Sequence, residues 1–150
     1  MANKIRILIL CTGNSCRSQM TEAFFEKYGS DDFEVVSAGL DPRPINVFAR
    51  EVMIESDIDL SGKRSKSVRE FLGRDRFDYV IFVCNKAEKS CPRLYAIPAH
   101  KSLSWPFPDP AEAEGDDFEK LKAFRLIRDC IEEKVKEWIE DFRKNRAENK

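Results

Sequence analysis

Apolar positions along this chain change their period several times, and each change marks an element. Ile5, Ile7, Leu8, Ile9 and Leu10 form a nearly continuous apolar run, the pattern of a parallel strand buried on both faces. Met20, Ala23, Phe24 and Tyr28 then recur at helical spacing, with Gly29 as the stop. Phe33 to Ala38 reads as a second strand, and Gly39 to Pro44 as a loop with two prolines. Val47, Phe48, Val52, Met53 and Ile54 suggest a second helix capped by Asn46. Ser65 and Ser67 offer caps for a short helix ending near Gly73. Asp78 to Val83 is another buried strand, a shorter strand is expected around Lys101 to Trp105, and Leu121, Phe124, Ile127, Ile131, Val135, Trp138 and Phe142 mark a long terminal amphipathic helix. Strands alternating with helices predict an α/β fold: one domain over residues 1–150, with a parallel sheet flanked by helices. Sites in such sheets lie beyond the carboxyl ends of the strands. Cys11 and Cys84 both fall at such ends.

Composition narrows the possibilities. The 150 residues carry 26 Lys and Arg against 27 Asp and Glu, a formal net charge of -1. That balance gives no bulk attraction to nucleic acid or to a membrane surface. The longest apolar run is far short of the roughly 20 residues of a membrane span. Met1 to Arg6 runs straight into the first strand without the features of a signal peptide, so a cytoplasmic protein is expected. Its five cysteines should then be thiols rather than a disulfide framework.

The chemistry concentrates in Cys11-Thr12-Gly13-Asn14-Ser15-Cys16-Arg17-Ser18, a tight loop between the first strand and the first helix. Backbone N–H groups and the positive helix end converge there on an oxyanion. The same field should lower the Cys11 thiol from its free value of about 8.5. Arg17 can grip a tetrahedral oxyanion through two parallel N–H bonds. A second unusual segment is Cys84-Asn85-Lys86-Ala87-Glu88-Lys89-Ser90-Cys91-Pro92. If its interior is helical, the two cysteine α-carbons lie about 10 Å apart, and a disulfide between them requires unwinding. The third is Trp105-Pro106-Phe107-Pro108-Asp109-Pro110-Ala111, where a carboxyl group between prolines suits a well-held general acid. Cys16 reads as a packing residue, Cys130 as core, His100 as surface or edge, and Trp105 and Phe107 as packing aromatics.

These segments, with Ser37-Ala38-Gly39 and Asp59-Leu60-Ser61-Gly62, resemble the low-molecular-weight protein tyrosine phosphatase fold. The Cys84/Cys91 pair and Trp-x-Phe-x-Asp-Pro-Ala narrow the resemblance to the thioredoxin-coupled arsenate reductases built on that fold. The resemblance implies a relay. Cys11 attacks arsenate held by residues 12 to 18, with Ser18 stabilising its thiolate, and Asp109 protonates the departing oxygen. Cys84 then attacks the Cys11 sulfur, and Cys91 attacks Cys84. The implied partners are arsenate, with phosphate or sulfate competing, and thioredoxin, or glutaredoxin, as external reductant. No bound cofactor and no metal ligand set is implied. Some relatives carry a potassium site; Asn14, Glu22 and Ser37 fit it, but Lys66 stands at its acidic position, and a charged lysine is no cation ligand. Lys66 would instead place its ammonium there. The rival readings are a phosphatase using Cys11, Arg17 and Asp109 alone, and a zinc or redox-sensing module, whose cysteine spacings here are not those of a zinc knuckle.

Overall fold

The computed structural model describes residues 4–71, 73, 76–84 and 99–148. Four strands, β1 (Ile5–Cys11), β2 (Phe33–Gly39), β3 (Phe77–Phe82) and β4 (Ala99–Ser104), form one sheet in the order β2-β1-β3-β4. Every pairing is parallel. The helices are α1 (Arg17–Gly29), α2 (Val47–Ile54) and α3 (Asp117–Glu148). This is the predicted α/β architecture. β1 lies inside the sheet, and Ile7, Leu8, Ile9 and Leu10 are all fully buried. Consecutive burial means both faces of the strand are covered, which is why its sequence is apolar without alternation.

α3 buries Phe124, Ile127, Ile131, Val135 and Ile139 at helical spacing and packs against α1 and α2. Beneath it lies an aromatic cluster in which Phe25 stacks on Trp105 with ring centres 6.1 Å apart and Trp138 meets Phe25 edge-on at 5.8 Å. The end of α3 is tied down by Asp32, which accepts from Arg143 Nε at 2.6 Å and Arg146 Nη2 at 2.9 Å. Asn46 caps α2 as expected, its side chain accepting from Phe48 N–H at 2.8 Å and Ala49 N–H at 3.3 Å. Two expectations need correction. The helix predicted from Ser65 to Gly73 is only a 3-10 turn, Val68–Glu70, because Ser67 caps it at Arg69 N–H while Ser65 turns to a different partner. Cys130 is exposed rather than core, since it sits beside the stripe and not in it. The segment between Cys84 and Cys91 beyond its first residue, and the side chain of His100, lie outside the described residues.

Candidate active site

The loop from Cys11 to Arg17 is shaped by where its carbonyls go. The Cys11, Thr12, Gly13 and Ser15 carbonyls accept from the N–H groups of Leu40 (3.2 Å), Asp41 (2.8 Å), Arg43 (2.9 Å) and Asn46 (2.9 Å). The Asn14 carbonyl accepts from Ser65 Oγ at 2.8 Å and Gln19 Nε2 at 3.2 Å. With the carbonyls of residues 11 to 15 tied outward, the loop forms an amide-lined cup at the start of α1, whose first turn has no side-chain cap. Asn14 makes the turn with φ of 50°, a conformation asparagine tolerates. Its buried side chain is a hub: Nδ2 donates to Ser18 Oγ (2.8 Å) and Ser37 Oγ (2.9 Å), and Oδ1 accepts from Gln19 Nε2 (3.1 Å) and Lys66 N–H (2.9 Å).

Cys11 is buried at the floor of the cup. Its Sγ lies 2.8 Å from Ser18 Oγ and receives the Asn14 N–H at 3.1 Å. Burial pushes the Cys11 thiol above its ordinary value and outweighs these two bonds, which pull it down; nearby Cys84 also raises it. The lowered value expected from the loop's field is thereby corrected: the desolvation of a thiolate sealed beneath the loop is the larger effect. Cys16 is buried beside it, and burial pushes its thiol up as well.

Cys84 reaches this site through the sheet. Leu10 pairs with Phe82, and Val83 N–H donates to the Leu10 carbonyl at 3.0 Å. Cys84 is therefore one residue past the position opposite Cys11, on a neighbouring strand. Strand spacing and rise put the two α-carbons about 6 Å apart, inside the span a disulfide bridges. Thr12 Oγ1 lies 3.6 Å from Cys84 Sγ.

Arg17 opens α1 and turns across the cup, donating from Nη1 to the Phe107 carbonyl at 2.9 Å, with Nη2 at 3.7 Å from Asp109 Oδ2. The other Asp109 oxygen accepts from Ala111 N–H at 3.0 Å. One cavity of about 720 Å³ is lined by Cys11, Arg17, Cys84 and Asp109, together with Thr12, Gly13, Ser15 and Cys16. Sequence-predicted Asn14 and Ser18 stand behind it as supports. Cys91 lies outside the described residues.

Two supporting roles escaped the sequence reading. Gln19 is fully buried in α1 and braces Asn14. Gly39 runs so close behind the cup that a Cβ there would lie 2.7 Å from the Thr12 carbonyl oxygen. The potassium-site expectation also changes in detail: the ammonium on buried Glu22 is that of Lys63, at 2.7 Å, while Lys66 Nζ donates to the Arg64 carbonyl at 3.0 Å. Ser18, Gln19, Thr21 and Glu22 are all buried in the first half of α1, among its apolar positions.

Among the described residues no group of three or more His, Cys, Asp or Glu is placed to hold a metal ion, and no helix is long and apolar enough to cross a membrane. Known proteins share this fold. A curated relative from Halalkalibacterium halodurans named arsenate reductase is 42% identical over 139 residues, spanning 92% of this chain and 97% of its own. A solved arsenate reductase in the phosphate-binding state superposes with a TM-score of 0.75 at 30% identity, over 91% of this chain and 98% of that one. A low molecular weight protein tyrosine phosphatase from T. tengcongensis gives a TM-score of 0.75 at 27% identity, over 92% and 99%. The family described as low molecular weight phosphotyrosine protein phosphatase matches residues 6–148, and with the cup, its cysteine and its arginine in place the chain belongs to that family.

Proposed function

We propose that this protein reduces arsenate to arsenite by a three-cysteine relay. The observation that carries the reading is the second thiol: Cys84 lines the same cavity as Cys11 and the amide cup, where a phosphatase needs only water. Arsenate would sit in the cup with its charge on the loop amides and Arg17. The Cys11 thiolate attacks arsenic, a sulfur–arsenic bond forms, and one oxygen leaves as water with a proton from Asp109. A thiolate freed from solvent but held by Ser18 and the Asn14 N–H is a strong nucleophile once formed.

The Cys84 thiolate then attacks the Cys11 sulfur. A Cys11–Cys84 disulfide forms, the sulfur–arsenic bond breaks, and its electron pair stays on arsenic, which departs as arsenite. Two thiols are oxidised and arsenic(V) takes both electrons. Cys91 would attack Cys84 in turn, freeing Cys11 and leaving a Cys84–Cys91 disulfide for an external dithiol protein, thioredoxin being the favoured reductant and glutaredoxin the alternative. A compartment that keeps thiols reduced, the cytoplasm, suits this cycle.

The test is arsenate-dependent NADPH oxidation with thioredoxin and its reductase, run beside hydrolysis of an aryl phosphate. Arsenate turnover that is lost in Cys84→Ser and in Cys91→Ser supports the relay. Aryl phosphate hydrolysis alone, unchanged in both variants, would assign the site to a phosphatase using Cys11, Arg17 and Asp109.

A further inference from the structure

Arg17 has a partner that neither the cup nor the relay requires. Its Nη1 donates to the backbone carbonyl of Phe107 at 2.9 Å. A guanidinium is a rigid planar fork, so engaging Nη1 fixes the plane and leaves the Nε–Nη2 edge for a tetrahedral oxyanion. Nη2 is also the nitrogen near Asp109, at 3.7 Å from Oδ2. The geometry therefore sets the general-acid carboxyl beside the oxygen that this edge would grip.

The Phe107 carbonyl is itself held firmly. Phe107 N–H donates to the Trp105 carbonyl at 2.9 Å and to Val83 at 3.3 Å, and Trp105 N–H donates to Phe82 at 2.6 Å. The Trp105 ring is buried and stacked on Phe25. Pro106 and Pro108 flank Phe107; the first has a fixed φ, and the second confines Phe107 to extended backbone. Both prolines are exposed and line the cavity wall rather than the core, so core packing does not explain them.

We propose that Phe107, fixed between Pro106 and Pro108, is a positioning residue for oxyanion binding: its carbonyl aims the Arg17 fork into the cup. The segment carrying Asp109 would then serve affinity as well as proton donation. This rests on the oxyanion reading of the cup and not on the reduction step.

The experiment uses the reduced full-length protein and inorganic phosphate as the probe. Phosphate affinity is measured by titration calorimetry for the wild type and for a variant carrying Pro106→Gly and Pro108→Gly together. The Arg17 Nε–H signal is followed by NMR, assigned by its loss in Arg17→Lys. The expected result is phosphate binding about tenfold weaker, the size of one lost charge-assisted bond, with a broadened Arg17 signal and a melting temperature lowered only by the few degrees that two Pro→Gly changes cost through the unfolded chain. Should that variant melt early, Pro108→Ala alone is expected to show the same pair of changes to a smaller degree. Unchanged affinity, or weaker binding with an unchanged Arg17 signal, would overturn the proposal. A wild type that does not bind phosphate would instead overturn the oxyanion reading beneath it.

Discussion

Replacing Gly39 by alanine tests whether the cup works by its shape. Gly39 ends β2, pairs with Cys11 in register, and donates its N–H to the Lys66 carbonyl at 2.8 Å. A Cβ at this position would stand 2.7 Å from the Thr12 oxygen, 2.8 Å from the Asn14 nitrogen and 2.9 Å from the Gly13 carbonyl carbon. All three are backbone atoms of the cup, and no rotamer change relieves them. Ordinary contact begins near 3.4 Å, so the loop must retreat by about 0.5 to 0.7 Å into its own cavity. Overpacking of this kind costs about 1–3 kcal/mol of stability. The functional loss should be larger than that modest figure suggests, because a misplacement of about 1 Å at a reacting centre costs about 100-fold in rate. Gly39→Ala is therefore expected to lower kcat/KM for arsenate by about 10- to 100-fold and to weaken phosphate binding, while urea unfolding shows a folded protein. Gly62, whose Cβ would meet nothing within 4 Å, supplies the control, and Gly62→Ala should behave as wild type. If Gly39→Ala binds phosphate as tightly as wild type, the claim that the backbone amides form the binding surface is wrong.

Ser18→Ala removes a bond that pulls the Cys11 thiol down; the midpoint of Cys11 alkylation against pH should move further to the alkaline side, and an unmoved midpoint would remove Ser18 from the account of the thiolate. For Asp32, burial pushes the carboxyl up, but Arg146 and Arg143 outweigh it and hold it below its ordinary value. A lowered native value contributes stability above the unfolded carboxylate range and loses it as pH falls through the native one, so Asp32→Asn should lower stability at pH 7 and flatten its fall in acid, read from urea midpoints across pH. Lys63→Met strands Glu22, which is 4% exposed, and should cost about 2–3 kcal/mol in urea unfolding. With lysine ammonium groups at and beside the position a cation ligand would occupy, potassium should change the KM for arsenate by no more than about twofold; a large rise in affinity would contradict this.

How much of this was legible in the sequence depended on whether the signal was local. β1, α2 with its Asn46 cap, and the apolar stripe of α3 follow from periodicity because burial dictates their residues directly. The closeness of Cys11 and Cys84 in space was legible as well, since both stand at strand ends of a parallel sheet. What periodicity could not carry were the long-range polar contacts. Gln19 reads as an ordinary polar residue in a helix, yet it is fully buried because its amide bonds the Asn14 and Arg64 carbonyls. Lys63 was passed over in favour of Lys66 because a count of residues places a side chain only roughly, and the turn from Leu60 to Lys63 directs the earlier lysine toward α1. The Cys11 thiol was misjudged for a similar reason. The loop's field is visible in its residue types, whereas the depth of burial that opposes it is a property of the packed structure.

In the proposed relay, the choice between reduction and hydrolysis on this fold comes down to whether a thiol stands at the end of the strand beside β1. An oxyanion cup, an arginine and an aspartate serve either reaction, since both begin with a thiolate attacking a tetrahedral centre whose leaving oxygen needs a proton. The reactions part at the second step, where either water attacks the central atom or a second thiolate attacks sulfur. For the second thiolate to compete it must stand within bonding reach of Cys11 without a large rearrangement, and only a strand hydrogen-bonded to β1 can deliver it from its own end. β3 is such a strand, and its register places Cys84 one residue beyond the point opposite Cys11. A cysteine at the corresponding end of β4, one strand further out, would be about 10 Å away and outside disulfide reach. Moving the Cys84 thiol by one position, as Val83→Cys combined with Cys84→Ser, should therefore restore little arsenate turnover, because Val83 is fully buried in the core while Cys84 lines the cavity that holds Cys11. Recovery to near wild-type turnover in that double variant would mean that mere proximity of a thiol suffices, and that the register of β1 and β3 does not select the chemistry.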